Sequence, residues 1–307
     1  MKTLRKKAIS AAAVALLTGL ASASVFAADT PANPEATSAT SPIAANVTVV
    51  NDYRYRGISQ SNFKPAIQGG FDYAHESGFY IGNWNSSISW ISDAYGQNGS
   101  VGGNGSAGRQ VSSQIEMDFY AGIKKELIGA GFASDLGFLQ YYYPTSGIPN
   151  TNGATANPNT SEVYVAQNFT FGPLTGFGKV SYALSTLFGT VNSRGSYYPD
   201  LTLNYDTGIW GVALNGHIGY QYVAGNTVNG ATSYVGLAYG NNTTNSSLYS
   251  YTDWKLGVTK DFGGGLSGSI AYVGTNAATA QGGYSYSSPT GKNLGKSTGL
   301  ISLTKAF

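Results

Sequence analysis

NVTVVNDYRYRGISQS, from Asn46 to Ser61, alternates like a β-strand while carrying Asp52, Arg54 and Arg56 at every second position. Val47, Val49, Tyr53 and Tyr55 fill the positions between them, with Asn51 the one polar interruption. Successive side chains of a strand point to opposite faces. A sheet with one aromatic, apolar face and one face of guanidiniums and a carboxylate has two homes. It turns its polar face to bulk water, or it sits in lipid around a wet interior. The second arrangement puts Tyr53 and Tyr55 against lipid and the three charges in a lumen.

The ends and the composition favour lipid. Lys2, Arg5, Lys6 and Lys7 precede an apolar run from Ala8 to Ala21, then ASASVFAAD, the pattern of a secretory leader. Cleavage is expected after Ala27, with Val25 and Ala27 at the −3 and −1 positions. The run is too short for a spanning helix, which needs about 20 apolar residues, and no later segment offers one. Removing the leader takes four basic residues and leaves 13 Lys and Arg against 15 Asp and Glu, so nothing electrostatic points to nucleic acid. Cysteine is absent, which excludes disulfides, thiolate nucleophiles and Cys-ligated zinc. Charged residues are 10% of the chain, against about 25% in soluble domains. With 23 Tyr and 42 Gly, that scarcity fits a lipid-facing barrel.

Residues 28–45 are rich in Ala, Pro, Ser and Thr without periodicity and read as a flexible lead-in or a plug. From there to residue 307 the pattern has period two. Twelve strands are expected, at about 46–57, 64–75, 79–91, 112–124, 131–143, 161–171, 177–188, 197–206, 209–223, 250–261, 266–275 and 297–307. In QIEMDFYAGIK the outer set is Ile115, Met117, Phe119, Ala121 and Ile123, opposed by Gln114, Glu116, Asp118 and Lys124. In WGVALNGHIGYQY, Trp210, Val212, Leu214, Gly216, Ile218, Tyr220 and Tyr222 oppose Asn215, His217 and Gln221. The faces of 79–91 are ambiguous, because apolar residues occupy both registers. ATSYVGLAYG, within 224–249, reads as a loop hairpin or two further strands.

Connection lengths alternate. Tight links at 75–78, 125–131, 172–176, 206–208 and 262–266 interleave with Gly-, Asn- and Ser-rich ones at 92–111, 144–160, 189–196, 224–249 and 276–296. The link at 58–63 is the one short member of the second set. Short periplasmic turns and long extracellular loops are the mark of an outer-membrane barrel. The expected fold is therefore an all-β, antiparallel up-and-down transmembrane barrel. STGLISLTKAF, with Ile301, Leu303 and Phe307 in one register, resembles the C-terminal signal by which such barrels are recognised for assembly. Lys305 interrupts that register.

The block from 46 to 84 resembles the opening of the TorF-like porin family. The resemblance rests on Tyr53, Arg54, Arg56, Gly57, Ser59 and Gln60, then Gly69, Gly70, Asp72 and Tyr73, then Ser77, Gly78, Tyr80 and Gly82. It implies an outer-membrane location in a Gram-negative bacterium and a pore, and it brings no substrate.

Candidate pore-lining residues are Asp52, Arg54, Arg56, Asp72, Glu116, Asp118, Asp135, Glu162, Lys179, Asp253 and Lys255. A lumen of opposed charges orders water and biases which solutes pass; the same charges paired with one another would fill it. Twelve strands lie between the eight that side chains fill and the sixteen that leave a channel. His75 and Ser77 have base–nucleophile spacing but straddle a turn with no orienting partner in view. NGSVGGNGSAG at 98–108 lacks the spaced aspartates of calcium-binding repeats. Trp84, Trp90, Trp210 and Trp254 are expected in interfacial girdles. The expectation is a passive channel for small hydrophilic solutes, with no cofactor and no enzyme activity; a non-conducting barrel with adhesive loops is the alternative. Expected partners are membrane lipid, the barrel assembly machinery and small solutes, with a homo-oligomer left open.

Overall fold

The computed structural model describes residues 42–95, 111–148, 157–227, 243–277, 279–280 and 283–307. The leader at 1–27, most of the lead-in, the Gly-rich tract at 98–108 and ATSYVGLAYG lie outside the described residues. Sixteen strands are numbered in chain order. Twelve of them form one closed antiparallel barrel: β1 (Ile43–Val50), β4 (Ala66–Ala74), β5 (Phe79–Ser87), β6 (Ile115–Gly129), β7 (Phe132–Tyr142), β8 (Thr160–Phe171), β9 (Leu174–Ala183), β10 (Tyr197–Asp206), β11 (Val212–Gln221), β12 (Tyr251–Gly263), β13 (Leu266–Thr275) and β16 (Thr298–Ala306). The remaining four make two short hairpins, β2 (Arg54–Tyr55) with β3 (Ile58–Ser59), and β14 (Thr279–Ala280) with β15 (Gly283–Tyr284). Among the described residues two short helices, α1 (Trp90–Tyr95) and α2 (Asn245–Tyr249), lie in the connections at one end.

Each barrel strand pairs with its sequence neighbour, and β1 pairs with β16 from Asn46↔Ala306 to Val50↔Ser302. Closure leaves no unsatisfied edge, the condition for spanning lipid with strands. Three of the five tight links are shorter than expected, the 75–78 link is as expected, and the β10–β11 link, 207–211, is longer. Gly172–Pro173 joins β8 to β9, and Gly264–Gly265 joins β12 to β13 with φ of 61° and 78°. Two successive positive φ angles make the primed turn that matches strand twist, and glycine adopts it without a Cβ penalty. β6 continues to Gly129, through most of the stretch expected as a turn.

The barrel is apolar outside and polar within. Leu136, Val165, Leu201, Leu214, Ile218, Leu256, Ile270 and Ile301 are exposed on the outer face, while Glu116, Asp118, Glu162, Lys179, Asp200 and Asp253 are buried on the inner one. Tyr142, Tyr182, Tyr197, Tyr220 and Tyr272 ring the outer face toward the loop end, and Phe79, Phe171, Tyr205, Phe262 and Phe307 ring it toward the turn end. This is the inverted solvation of a barrel in a bilayer. Leu256, 67% exposed in the middle of β12, gives a direct check. Leu256→Arg is expected to cost about 2–4 kcal/mol of folding free energy into lipid vesicles, read by denaturant titration; a cost near zero would mean that this face does not meet hydrocarbon.

The ambiguous strand β5 resolves with Phe79 and Ile81 outward and Tyr80, Gly82 and Ser86 inward. Trp84 and Trp90 correct the girdle expectation, because both pack against the interior aromatic cluster. Trp210 sits exposed in the 207–211 turn rather than in a strand. Inward glycines have a use that composition does not reveal. A Cβ on Gly122 would overlap the Tyr80 ring, on Gly82 the Tyr120 ring, on Gly137 the Tyr164 ring and on Gly219 the Tyr198 ring. Large aromatic rings thus lie flat across glycines of the adjoining strand.

Candidate functional site: the inward-folded hairpin and the lumen

The stretch expected as the upper half of the first strand leaves the barrel instead. β1 ends at Val50, and residues 51–65 fold inward at the loop end before β4 begins. Asn51 ends the strand, its Nδ2 donating to Gly299 O (3.2 Å) and its Oδ1 accepting from Ile301 N (2.9 Å). Tyr53 and Tyr55, expected against lipid, are therefore buried, at 0% and 7% exposed. Tyr53 donates to Glu116, and Tyr55 donates to the Tyr141 hydroxyl at 2.9 Å. Burial first, then the Glu116 and Asp118 charges, hold the Tyr53 phenol protonated far above its ordinary range, so it serves as a donor.

Arg56 and Gly57 form the two-residue tip between β2 and β3, with φ of 44° and 76°. An arginine in left-handed backbone is strained and persists only where its surroundings hold it. Here Nη1 donates to Gln221 Oε1 (2.6 Å), Nη2 donates to Glu162 Oε2 (2.8 Å), and the guanidinium lies 4.2 Å from the Tyr198 ring centre. Gly57 lies so close to Thr275 and Asp253 that a Cβ would collide with both. Arg54 staples the base. Its Nε donates to Asp52 Oδ2 (2.6 Å) and its Nη1 to the carbonyls of Gly57, Leu294 and Lys296. Asp52 Oδ1 also accepts from Ser59 (2.6 Å) and Ser61 (3.2 Å). Through Arg56 the hairpin reaches from β1 to β8, β10 and β11 and so crosses the lumen.

The remaining sequence candidates divide between two walls. On the β4–β8 side the carboxylates are capped by phenols: Asp72 by Tyr120, Asp135 by Tyr80 (2.6 Å), and Glu116 by Tyr143 (2.6 Å) as well as Tyr53. Asp118 is buried beside them. Lys179 on β9 faces Asp200 at 3.4 Å. Asp253 accepts from Tyr198 (2.8 Å) and contacts His217 Nε2 at 3.0 Å. Across the lumen the inner faces of β12, β13, β16 and β1 carry small polar residues. There Asp253, Lys255, His217, Ser269, Ser302, Thr48 and Gln68 line a cavity beneath the hairpin, with about 580 Å³ of unfilled space counted out to its mouth. The lumen is lopsided, with one side packed by aromatic rings and acids and the other lined by smaller residues, Thr48, Ser269 and Ser302 beside Val50, Ala271, Val273 and Leu300. Sequence reasoning missed the tyrosines that cap the acids, because an inward tyrosine and a girdle tyrosine look alike until register is known.

A second cavity lies on the opposite, outer side of the hairpin. Tyr55, Ile58, Ser59 and Gln60 contribute to its lining, whereas Asp52, Arg54 and Gly57 line the lower one. His75 and Ser77 are hydrogen-bonded (2.8 Å) on an exposed turn, where Ser77 N also donates to the ring. That is local turn chemistry. Among the described residues no group of three His, Cys, Asp or Glu is placed to hold a metal ion.

Among solved structures, the chain is similar to the KdgM porin at 6% identity, covering 86% of this chain and 98% of that one with a TM-score of 0.46. The NanC porin is similar at 9% identity with the same coverage and TM-score. OprD of Pseudomonas aeruginosa is similar at 10% identity, covering 88% and 67% with a TM-score of 0.39. No curated protein matches the chain. The family model that does match, over residues 34–237 and 224–307, is Gcw_chp, described as a bacterial protein of unknown function, and the chain belongs to that family.

Proposed function

We propose that the protein is an outer-membrane, porin-like channel of the TorF-like type, passing small hydrophilic solutes down their gradients past the 51–65 hairpin. The observation that carries this reading is the cavity along β12, β13, β16 and β1, bordered by Thr48, Ser269, Ser302, Lys255 and Asp253, inside a barrel whose outer face is apolar. Eight-stranded barrels are filled by side chains; here, among the described residues, a cavity remains beside β12, β13, β16 and β1 while the β4–β8 side is packed.

The guanidiniums of Arg54 and Arg56 hold the hairpin in place. Their part in selectivity is then to set the width and wall of the passage, with Lys255, His217 and Asp253 facing the solute. Passive diffusion needs no cofactor. The outward Ile301, Leu303 and Phe307 support recognition by the barrel assembly machinery. The paired charges in the lumen favour one second reading, a non-conducting barrel whose surface loops adhere.

Planar-bilayer recording with the refolded protein separates the two, discrete current steps belonging to the channel alone. Ser77→Ala is expected to leave both fold and conductance unchanged. A lipid-hydrolase activity that disappeared in that variant would overturn the channel reading.

A further inference from the structure

The cavity on the outer side of the hairpin is not built like a water passage. About 740 Å³ of space, counted out to the open solvent at its mouth, lies between its walls. Six aromatic rings wall it: Tyr55, Trp90, Tyr143, Phe188, Tyr251 and Tyr286. Three of the phenols are tied into the protein behind them. Tyr55 donates to Tyr141 (2.9 Å), Tyr143 to Glu116 (2.6 Å) and Tyr286 to Tyr249 O (2.7 Å). Those rings are fixed platforms, positioned before any guest arrives, and pre-organisation of this kind lowers the entropy cost of binding.

Between the rings lie Gln60, Gln221, Asp93, Ser287 and Ser288. Ser287 is 4% exposed, and its Oγ makes no hydrogen bond. A buried hydroxyl without a partner carries a desolvation cost that a guest's polar group would remove. Among the described residues no lysine or arginine lines the space, and Asp93 is its one charged lining residue. An anionic guest would meet that carboxylate with no lining cation to offset it, and a wholly apolar guest would leave the Ser287 hydroxyl unserved. A pyranose offers what the walls lack, C–H faces for the aromatic rings and hydroxyls for the amides, serines and carboxylate.

We propose that this cavity binds a neutral sugar of one or two pyranose rings and so loads the passage past the hairpin. The loading role rests on the channel reading above; the binding site does not.

The test uses refolded full-length protein in a sugar-free detergent, titrated with glucose, maltose, sodium gluconate and tetramethylammonium chloride. Binding is read by tryptophan fluorescence and by calorimetry, and Trp90→Phe assigns the optical signal to this cavity. Saturable maltose binding is expected, with the Trp90 signal lost in Trp90→Phe and gluconate silent. Tyr286→Ala should weaken maltose about 5–10-fold, the size of one aromatic contact. Ser287→Ala, which removes only a hydroxyl, should weaken it without disturbing the fold. No saturable sugar binding by either method, or preferential binding of tetramethylammonium or gluconate, would overturn the proposal. Conduction in a bilayer without sugar binding would overturn the site and leave the channel. Sugar binding by a folded, inserted but silent barrel would do the reverse.

Discussion

Replacing Arg56 with alanine is expected to destabilise the protein by about 3–5 kcal/mol, because it leaves the buried Glu162 carboxylate without its cation. Both partners of this pair are about 2% exposed, so neither solvent screening nor easy rehydration softens the loss. The same substitution removes the bond to Gln221 and the stacking on Tyr198, which with the Glu162 pair hold the hairpin tip. Arg56→Gly refines the test. Glycine loses the same contacts but adopts a φ of 44° without a Cβ penalty. It should therefore be less destabilised than the alanine variant by about 1 kcal/mol. Urea unfolding of vesicle-inserted protein measures both. A loss under about 1 kcal/mol for Arg56→Ala, the scale of a surface pair, would mean that the pair does not hold the hairpin.

The larger functional effect is expected from removing the hairpin itself. Val50 and Ala66 are direct register partners at the ends of β1 and β4. An Asn-Gly turn can join strands in that relation, so residues 51–65 can be replaced by Asn-Gly with every barrel strand kept. Without the hairpin, nothing it contributes stands between the outer cavity and the space along β12, β13, β16 and β1. Single-channel conductance should rise severalfold, and ion selectivity should fall as the passage widens. The barrel should become less stable, since Glu116 and Glu162 lose Tyr53 and Arg56. Unchanged conductance in a folded variant would remove the hairpin from the conducting path.

Much of the barrel is legible in the sequence for a simple physical reason. A strand with lipid on one side and water on the other must alternate, and Ile115 to Ile123 against Glu116 and Asp118 does so without interruption. The alternation of tight and long links then gives the strand number. The hairpin is not legible in the same way, because period two continues through the place where the chain leaves the barrel. Asp52, Arg54 and Arg56 still alternate with Tyr53 and Tyr55, and an inward tyrosine satisfied by a carboxylate has the same letter as one at the membrane interface. Two signals mark the departure in retrospect. Asn51 interrupts the apolar face, and Arg56-Gly57 supplies a residue for the second left-handed position of a two-residue turn. The division of the lumen into an aromatic–acid side and a side of smaller residues follows from which strands adjoin after closure, which no local pattern encodes.

The most direct test of the account is the single-channel current of the wild-type protein, refolded and inserted in a planar bilayer under a salt gradient. Discrete steps are expected, smaller than those of the Asn-Gly variant recorded under the same conditions. Silence from wild type and variant alike, with heat-modifiable folding and insertion verified for both, would contradict it and leave a closed barrel that acts through its loops.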